Sequence, residues 1–298
     1  MYTALISSAD AITKFIAVGY AAPQLFFVSG AIVVALCWVS TRVKPHPEGL
    51  KTTCKKAMAV RSGLTVLGSV AFFYAFRYLP FADVFLFIGM MPIFAGLASG
   101  PILGEHVRPG AWVALAAGFI GVLCLFPGGL SGIGVGHVIA LIACLCGTLS
   151  MVIARYIGRF ESNALAQVFY PNLAVFVTMG TALPFVYQPM PAADLIWVFA
   201  YAGLLFAARW LLVVSLRLLA AYAVTPLMNL QFVWMVILGA LIFGEIPAGG
   251  TLLGVGIVVG SGLFLIYDQM LPESAVPRTP FGGKLFGILF RWKIKIAR

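Results

Sequence analysis

The sequence predicts an all-α polytopic membrane protein with about ten transmembrane helices, arranged as two inverted five-helix repeats. Three observations support this fold class: 62% of the residues are hydrophobic and 9% are charged, the apolar runs are continuous, and one short motif occurs twice. Soluble domains carry about 25% charged residues, so this chain has too few charges to cover a water-facing surface. A membrane-embedded backbone must form helices or a closed barrel, and continuous apolar runs exclude the barrel.

The individual helices follow from assigning roughly 20 residues to each crossing, with short connections rich in Pro and Gly. The predicted segments are 2–21, 24–41, 58–79, 82–102, 109–127, 134–156, 164–185, 194–216, 222–243 and 250–267. The first five form a repeat over 1–129, and the last five form a second repeat over 130–267. The remaining tail, 268–298, is predicted to be a basic amphipathic helix that anchors to the inner leaflet, with partner binding as the alternative.

The repeat is read from a dipeptide that closes an apolar run twice, at Gly104-Glu105 and again 140 residues later at Gly244-Glu245. Arginines recur with the same spacing at Arg77 and Arg217. Because five helices are an odd number, the second copy must enter the membrane from the opposite side. Two inverted halves of this kind can open a site between them to each side in turn.

The distribution of positive charge predicts the orientation. With the N-terminus inside, all but three of the 19 Lys and Arg residues fall on the cytoplasmic side, and Arg61 is counted among them. The exceptions are Lys14, Arg77 and Arg209. This asymmetry follows the positive-inside rule and predicts that both termini are cytoplasmic. The net charge of +10 is therefore attributed to topology and lipid contact, and binding of nucleic acid is rejected.

These motifs resemble those of bacterial permeases of the drug/metabolite transporter superfamily with two EamA-type domains. The resemblance rests on Leu103-Gly104-Glu105 and Phe243-Gly244-Glu245, on Pro92 in the fourth segment, and on the opening stretch Asp10–Lys14. It covers about residues 5–267. Two features depart from the family pattern: Phe232 stands at the second-repeat place of Pro92, and Val28-Ser29-Gly30 replaces a stretch that often carries Arg. The N-terminus is short, so an upstream start codon is an open alternative.

The resemblance implies a secondary transporter in the bacterial inner membrane that moves a small organic metabolite by alternating access. Export of an amino acid or organic anion is favoured. Uptake of a nucleoside-like or cofactor metabolite is the alternative, followed by a non-transporting intramembrane protein. No cofactor, metal site or enzymatic activity is expected, since the five Cys and three His residues show no ligand spacing and no catalytic group of residues is recognisable.

The repeated motif has two interpretations. Gly104 and Gly244 are expected to end their helices in the left-handed conformation. The following Glu105 and Glu245 would then cap the next helix, whose dipole favours an anion at that end. The alternative is that the two glutamates relay protons.

Two cations within predicted segments are the leading candidates for the substrate site. Arg209 lies mid-segment, where a charge costs at least about 2.5–3.5 kcal/mol, and it either pairs with Asp10 or backbone carbonyls or faces a watery cavity. Lys14 either snorkels to the interface or faces the same cavity, where it could couple transport to protons. If both face one cavity, the solute should be anionic or zwitterionic.

Further polar and aromatic residues complete the predicted substrate-binding set. Each alone is commonly a structural bridge between helices, but as a set they fit a mostly apolar cavity with a few oriented polar groups. They are Tyr74, Tyr170, Asn172, Trp210, Asn229 and Gln231.

Overall fold

The computed structural model of the protein describes residues 1–43, 49–79, 81–104, 134–218 and 230–244, with short helical stretches between 112 and 120 and between 256 and 264. The longer ranges form eight helices and no strand. These helices are α1 Tyr2–Ala17, α2 Ala22–Val43, α3 Lys55–Tyr78, α4 Phe81–Leu103, α5 Val135–Ile157, α6 Ala164–Val186, α7 Ala192–Leu218 and α8 Gln231–Phe243.

The all-helical membrane class is confirmed by these helices. Five of them, α2, α3, α5, α6 and α7, are long and apolar enough to cross a membrane. The predicted segments 109–127 and 250–267 and the tail 268–298 lie almost wholly outside the described residues, and so does the first part of segment 222–243. The ten-helix arrangement in two inverted repeats therefore stays a prediction.

Two helix boundaries differ from the predicted ones in ways that matter for the site. α1 ends at Ala17 rather than 21, because the carbonyl of Ile16 accepts hydrogen bonds from the backbone N–H groups of Gly19 and Tyr20 and closes a turn. α3 begins at Lys55, three residues before the predicted start of that segment. The earlier start places Arg61 in the second turn of α3.

Helices of the first half are interleaved with helices of the second half. α3 packs mainly against α5, α2 against α6 and α1 against α7. Further contacts join α4 to α5, α1 to α8, α3 to α6 and α2 to α7. A close approach of α2 and α6 is possible because Gly30 has no side chain: a Cβ there would lie 3.2 Å from the backbone of Phe176.

Two of these helices end in the conformation expected from the sequence motif. Gly104 after α4 and Gly244 after α8 both have a φ of +65°, a left-handed conformation that glycine adopts without steric cost. The carbonyl of Leu103 also accepts a hydrogen bond from Nη1 of Arg159. Glu105 and Glu245 lie outside the described residues, so capping and proton relay both remain open.

Candidate functional site

A cavity of about 200 Å³ lies between the described helices, with walls from every one of α1 to α8. Much of the wall is apolar and aromatic. The aromatic residues that line it are Tyr2, Phe26, Phe72, Phe73, Phe76 and Tyr201. The polar and charged side chains come from six helices, and a mostly apolar wall with a few polar groups is typical of small-molecule sites. Those considered below are Asp10, Arg61, Gln167, Asn172, Arg209 and Gln231.

Arg209 lies on the cavity wall, as one of the two interpretations of this residue requires. Its Nη1 donates a hydrogen bond to Oδ1 of Asn172 at 2.8 Å. Asn172 is 1% exposed, and its own amide nitrogen donates to the carbonyl of Val168 at 2.7 Å. The amide therefore has a partner at both ends, and its oxygen supports the guanidinium without neutralising its charge.

Arg61 is a second arginine of the same cavity, and it is buried; its predicted place on the cytoplasmic side stays a prediction. It is 8% exposed, and its Nη1 donates to both the backbone carbonyl and the side-chain Oε1 of Gln167, the latter at 3.1 Å. Neither residue was among the predicted substrate-binding residues. The predicted span 58–79 already contained Arg61, and a stricter reading of that span would have counted it as a third intramembrane cation.

Asp10 contributes a carboxylate to the same wall, on α1. Nε2 of Gln231 donates to its Oδ2 at 2.8 Å, and the carbonyl of Gln231 accepts a hydrogen bond from Ser7 at 3.2 Å. Gln231 thus links α8 to α1 and holds the carboxylate in place. The proposed pairing of Asp10 with Arg209 is not the hydrogen bond observed, since each has an amide partner.

Four other residues predicted to bind substrate lie elsewhere, and Asn229 falls outside the described residues. Trp210 is 45% exposed on the outer face of α7. Nζ of Lys14 lies 4.8 Å from the centre of the Phe243 ring, at the end of α8. Tyr74 packs edge-on against the Phe73 ring, and Tyr170 packs beside the small core of Ala57, Met58 and Ile157. None of these four is part of the described cavity wall.

Hydrogen bonds join loops at one end of the bundle, where α2 begins. The Tyr20 hydroxyl donates to Oδ2 of Asp194 at 2.5 Å, and Nε2 of Gln24 donates to the carbonyl of Gln188 at 2.6 Å. We call this group the Asp194 latch. The bond to Asp194 raises the pKa of the Tyr20 phenol above its usual value. The phenol is therefore protonated, and able to donate, at neutral pH.

A second group of hydrogen bonds joins loops at the other end of α2. The Glu161 carboxylate accepts from the Thr52 hydroxyl at 2.9 Å and from the backbone N–H of Thr53 at 2.8 Å. Nδ2 of Asn163 donates to the carbonyl of Gly49 at 2.7 Å. We call this group the Glu161 latch. The 22 residues of α2 separate the two latches by about 33 Å.

The described residues contain no group of three or more His, Cys, Asp or Glu side chains placed to hold a metal ion. The four cysteines among them, Cys37, Cys54, Cys144 and Cys146, are free. The polar groups of the cavity are thus amides, hydroxyls, guanidiniums and one carboxylate. This set can bind a solute through hydrogen bonds, ring stacking and charge.

The chain is similar to proteins already named as transporters. Residues 13–126 match the EamA-like transporter family. The chain is 28% identical over 211 residues to a riboflavin transporter of Rhizobium johnstonii, covering 70% of each chain. It is 26% identical over 238 residues to a riboflavin transporter of Vibrio cholerae, covering 79% of this chain and 78% of the relative.

Two further matches extend the comparison. An S-adenosylmethionine uptake transporter of Rickettsia prowazekii is 24% identical over 229 residues, covering 76% of this chain and 77% of the relative. A crystal structure of another protein superposes with a TM-score of 0.72 at 17% identity, covering 91% of this chain and 97% of that one, which shows a common fold. The family match over residues 13–126 and the relatives support an EamA-type permease of the drug/metabolite transporter superfamily, and the apolar helices support a multi-pass membrane protein.

Proposed function

We propose that the central cavity carries a planar, cofactor-like heteroaromatic solute across the bacterial inner membrane by alternating access. The proposal rests on the cavity wall, to which the two halves of the chain contribute residues at matching positions. Five lining residues of α3 and α4 have a counterpart 140 residues later that also lines the cavity. The pairs are Arg61 with Tyr201, Thr65 with Leu205, Ser69 with Arg209, Phe72 with Leu212, and Met91 with Gln231.

The helix contacts support the same two-fold relationship. If α1 to α4 correspond to α5 to α8, the α3–α5 contact is the counterpart of α1–α7, and α4–α5 is the counterpart of α1–α8. The α3–α6 contact likewise corresponds to the α2–α7 contact. The α2–α6 contact is its own counterpart, because α2 and α6 correspond to each other. A bundle built this way has two arrangements of similar energy, which exchange the roles of its halves.

The two latches fit the gates that alternating access requires. Under the same correspondence, the α1–α2 connection matches the α5–α6 connection, and the α6–α7 connection matches α2–α3. The Asp194 latch and the Glu161 latch therefore join equivalent loops at opposite ends. We propose that a solute enters the cavity when one latch opens and leaves it when the other opens.

The solute class follows from the wall and from the relatives. Flat aromatic faces favour stacking or edge contacts with a planar ring, and the amides and guanidiniums offer hydrogen bonds to its polar edge. The relatives are named for riboflavin and S-adenosylmethionine, and both solutes contain a planar heteroaromatic ring. Uptake is the direction named for the S-adenosylmethionine relative, and we propose it for this chain.

A second candidate is export of an amino acid or organic anion. It is favoured by the charges on the described wall, where Arg61 and Arg209 outnumber the single carboxylate of Asp10. A carboxylate-bearing solute would then be held bidentately by a guanidinium. The aromatic wall is not explained by this candidate, because a small anion has no surface with which to stack.

A thermal-shift comparison of purified protein distinguishes the two candidates. A ligand that binds the folded state raises its apparent stability by mass action. We expect riboflavin to stabilise the wild type, and glutamate and citrate to have little effect. Stabilisation by glutamate or citrate alone, lost in Arg209→Ala, would favour the second candidate and overturn the first.

A further inference from the structure

Two buried hydrogen-bond donors of cavity-lining residues have no partner among the described residues. They are Nε of Arg61 and Nε2 of Gln167. Both side chains are more than nine-tenths buried, at 8% and 1% exposure. A buried donor without a partner costs about 1–3 kcal/mol, and buried polar groups in folded proteins are nearly always paired. An acceptor that reaches both donors would remove that cost.

The chemistry of Arg61 fixes which end of the Gln167 amide faces it. A guanidinium has donors and no acceptor, so the group that contacts Nη1 at 3.1 Å must be the amide oxygen. Nε2 of Gln167 is therefore the end left over, and it can only donate. Nε of Arg61 and Nε2 of Gln167 are thus one charged and one neutral donor, each without a partner among the described residues.

The second arginine–amide pair in the cavity differs on this one point. Asn172 also contacts its arginine through the amide oxygen, but its Nδ2 donates to the carbonyl of Val168. The amide nitrogen of Asn172 thus has one partner, whereas that of Gln167 has none among the described residues. Both amides are 1% exposed and contact an arginine through their oxygen, so they form a matched comparison.

The position of Arg61 is stabilised from the neighbouring helix. Its carbonyl accepts from the Thr65 hydroxyl at 2.9 Å, and Thr65 in turn lies 2.9 Å from the Ser150 hydroxyl of α5. All three residues line the cavity. Arg61, Thr65 and Ser150 thus belong to one wall of the cavity, built from α3 and α5, and Gln167 of α6 joins it.

We propose that Arg61 and Gln167 form a specificity subsite that binds two neighbouring hydrogen-bond acceptors on the edge of the solute ring, such as a ring carbonyl and the adjacent ring nitrogen. This inference rests on the proposed function and adds the part of the solute that is recognised. In this arrangement the ring carbonyl accepts from Nε2 of Gln167, and the adjacent ring nitrogen accepts from Nε of Arg61. A solute without such an edge would leave both donors unpaired.

The test combines a change in the protein with a change in the solute. Gln167→Glu keeps an oxygen for Arg61 and strengthens that contact, but it removes the donor. Asn172→Asp makes the same change at the pair whose amide nitrogen already donates within the protein. The probes are riboflavin and its 2-thio and 4-thio analogues, in which sulfur, a weak acceptor, replaces one ring carbonyl oxygen. Binding to the three purified proteins is measured by flavin fluorescence quenching.

We expect the wild type to bind at least one thio analogue about tenfold more weakly than riboflavin, as one lost hydrogen bond implies. In Gln167→Glu, riboflavin should bind about ten- to a hundredfold more weakly, and its preference over the analogue should disappear. Asn172→Asp should still bind riboflavin more tightly than the thio analogue, even if its affinity for both ligands changes.

Two results would count against the inference in different ways. Riboflavin binding with the same preference in Gln167→Glu as in the wild type would show that Gln167 only positions Arg61, and would overturn the subsite while leaving the proposed function intact. No riboflavin binding by the folded wild type would overturn the proposed solute class, and with it the acceptor edge assigned to these donors.

Discussion

Nη1 of Arg209 lies 2.8 Å from Oδ1 of Asn172, so the charge at the middle of α7 is supported by a neutral side chain from α6. Removing one partner of a buried polar pair leaves the other unsatisfied, whereas removing both is much less costly. We expect Asn172→Leu to lower the free energy of unfolding by about 1–3 kcal/mol. The double variant Arg209→Met/Asn172→Leu should recover part of that loss. Additive losses in a denaturation series would contradict this coupling.

The glycines that end α4 and α8 give a prediction about stability that is separate from transport. Both have a φ of +65°, and a Cβ at either would meet no described atom within 4 Å, so the cost of a side chain is conformational. Gly104→Ala and Gly244→Ala should each destabilise by about 1–2 kcal/mol. Asn at the same positions should cost less, because it tolerates the left-handed region.

Gly203 supplies the matched control for that experiment. It lies inside α7 in an exposed position, and a Cβ there also meets nothing within 4 Å. Gly203→Ala should stabilise the protein by up to about 1 kcal/mol, because alanine is the better helix former. Equal effects of Ala at 104, 203 and 244 would show that the left-handed turns are not required.

The two latches predict opposite changes in access to the cavity. We replace the five native cysteines, introduce Ser69→Cys on the cavity wall, and label it with an impermeant maleimide from each side of the membrane. Tyr20→Phe should increase labelling from the side of the Asp194 latch. Glu161→Gln should increase labelling from the other side. An increase from the same side in both variants would contradict two alternating gates.

We predict that a coupling proton binds at the carboxylate of Asp10. Its carboxylate shares the cavity with Arg61, Tyr201 and Arg209, and it is held by Gln231. Asp10→Asn keeps an oxygen for the Gln231 amide but cannot bind and release a proton. We expect this variant to exchange solute across proteoliposomes and to lose accumulation driven by a pH gradient. Gradient-driven accumulation equal to that of the wild type would exclude Asp10 as the coupling site.

The helical architecture was predictable from sequence because long apolar segments have few alternatives in a bilayer. Helix boundaries were less certain, and α3 begins three residues before its predicted start. Asn172, Arg209 and Gln231 were selected because polar groups at membrane depth are costly unless they have partners; all three line the cavity, and their role in binding a solute stays a prediction.

The partners of these residues were not predictable. The Arg209–Asn172 and Arg61–Gln167 bonds join residues 37 and 106 positions apart, and they depend on how the helices rotate about their axes. The pattern of polar and apolar residues along a segment does not specify that rotation. The same uncertainty explains Trp210, which follows Arg209 directly yet points to the outer surface of α7. Adjacent residues on a helix are about 100° apart, so one faces the cavity and the next does not.

Counterflow of riboflavin in proteoliposomes tests the transport role of the cavity most directly. Vesicles containing the wild-type protein are loaded with unlabelled riboflavin and diluted into a trace of labelled riboflavin. We expect the label to accumulate transiently inside, and Arg61→Gln to reduce this accumulation strongly. Accumulation no greater than in protein-free vesicles, with correctly folded and oriented protein, would contradict transport of this solute through the cavity.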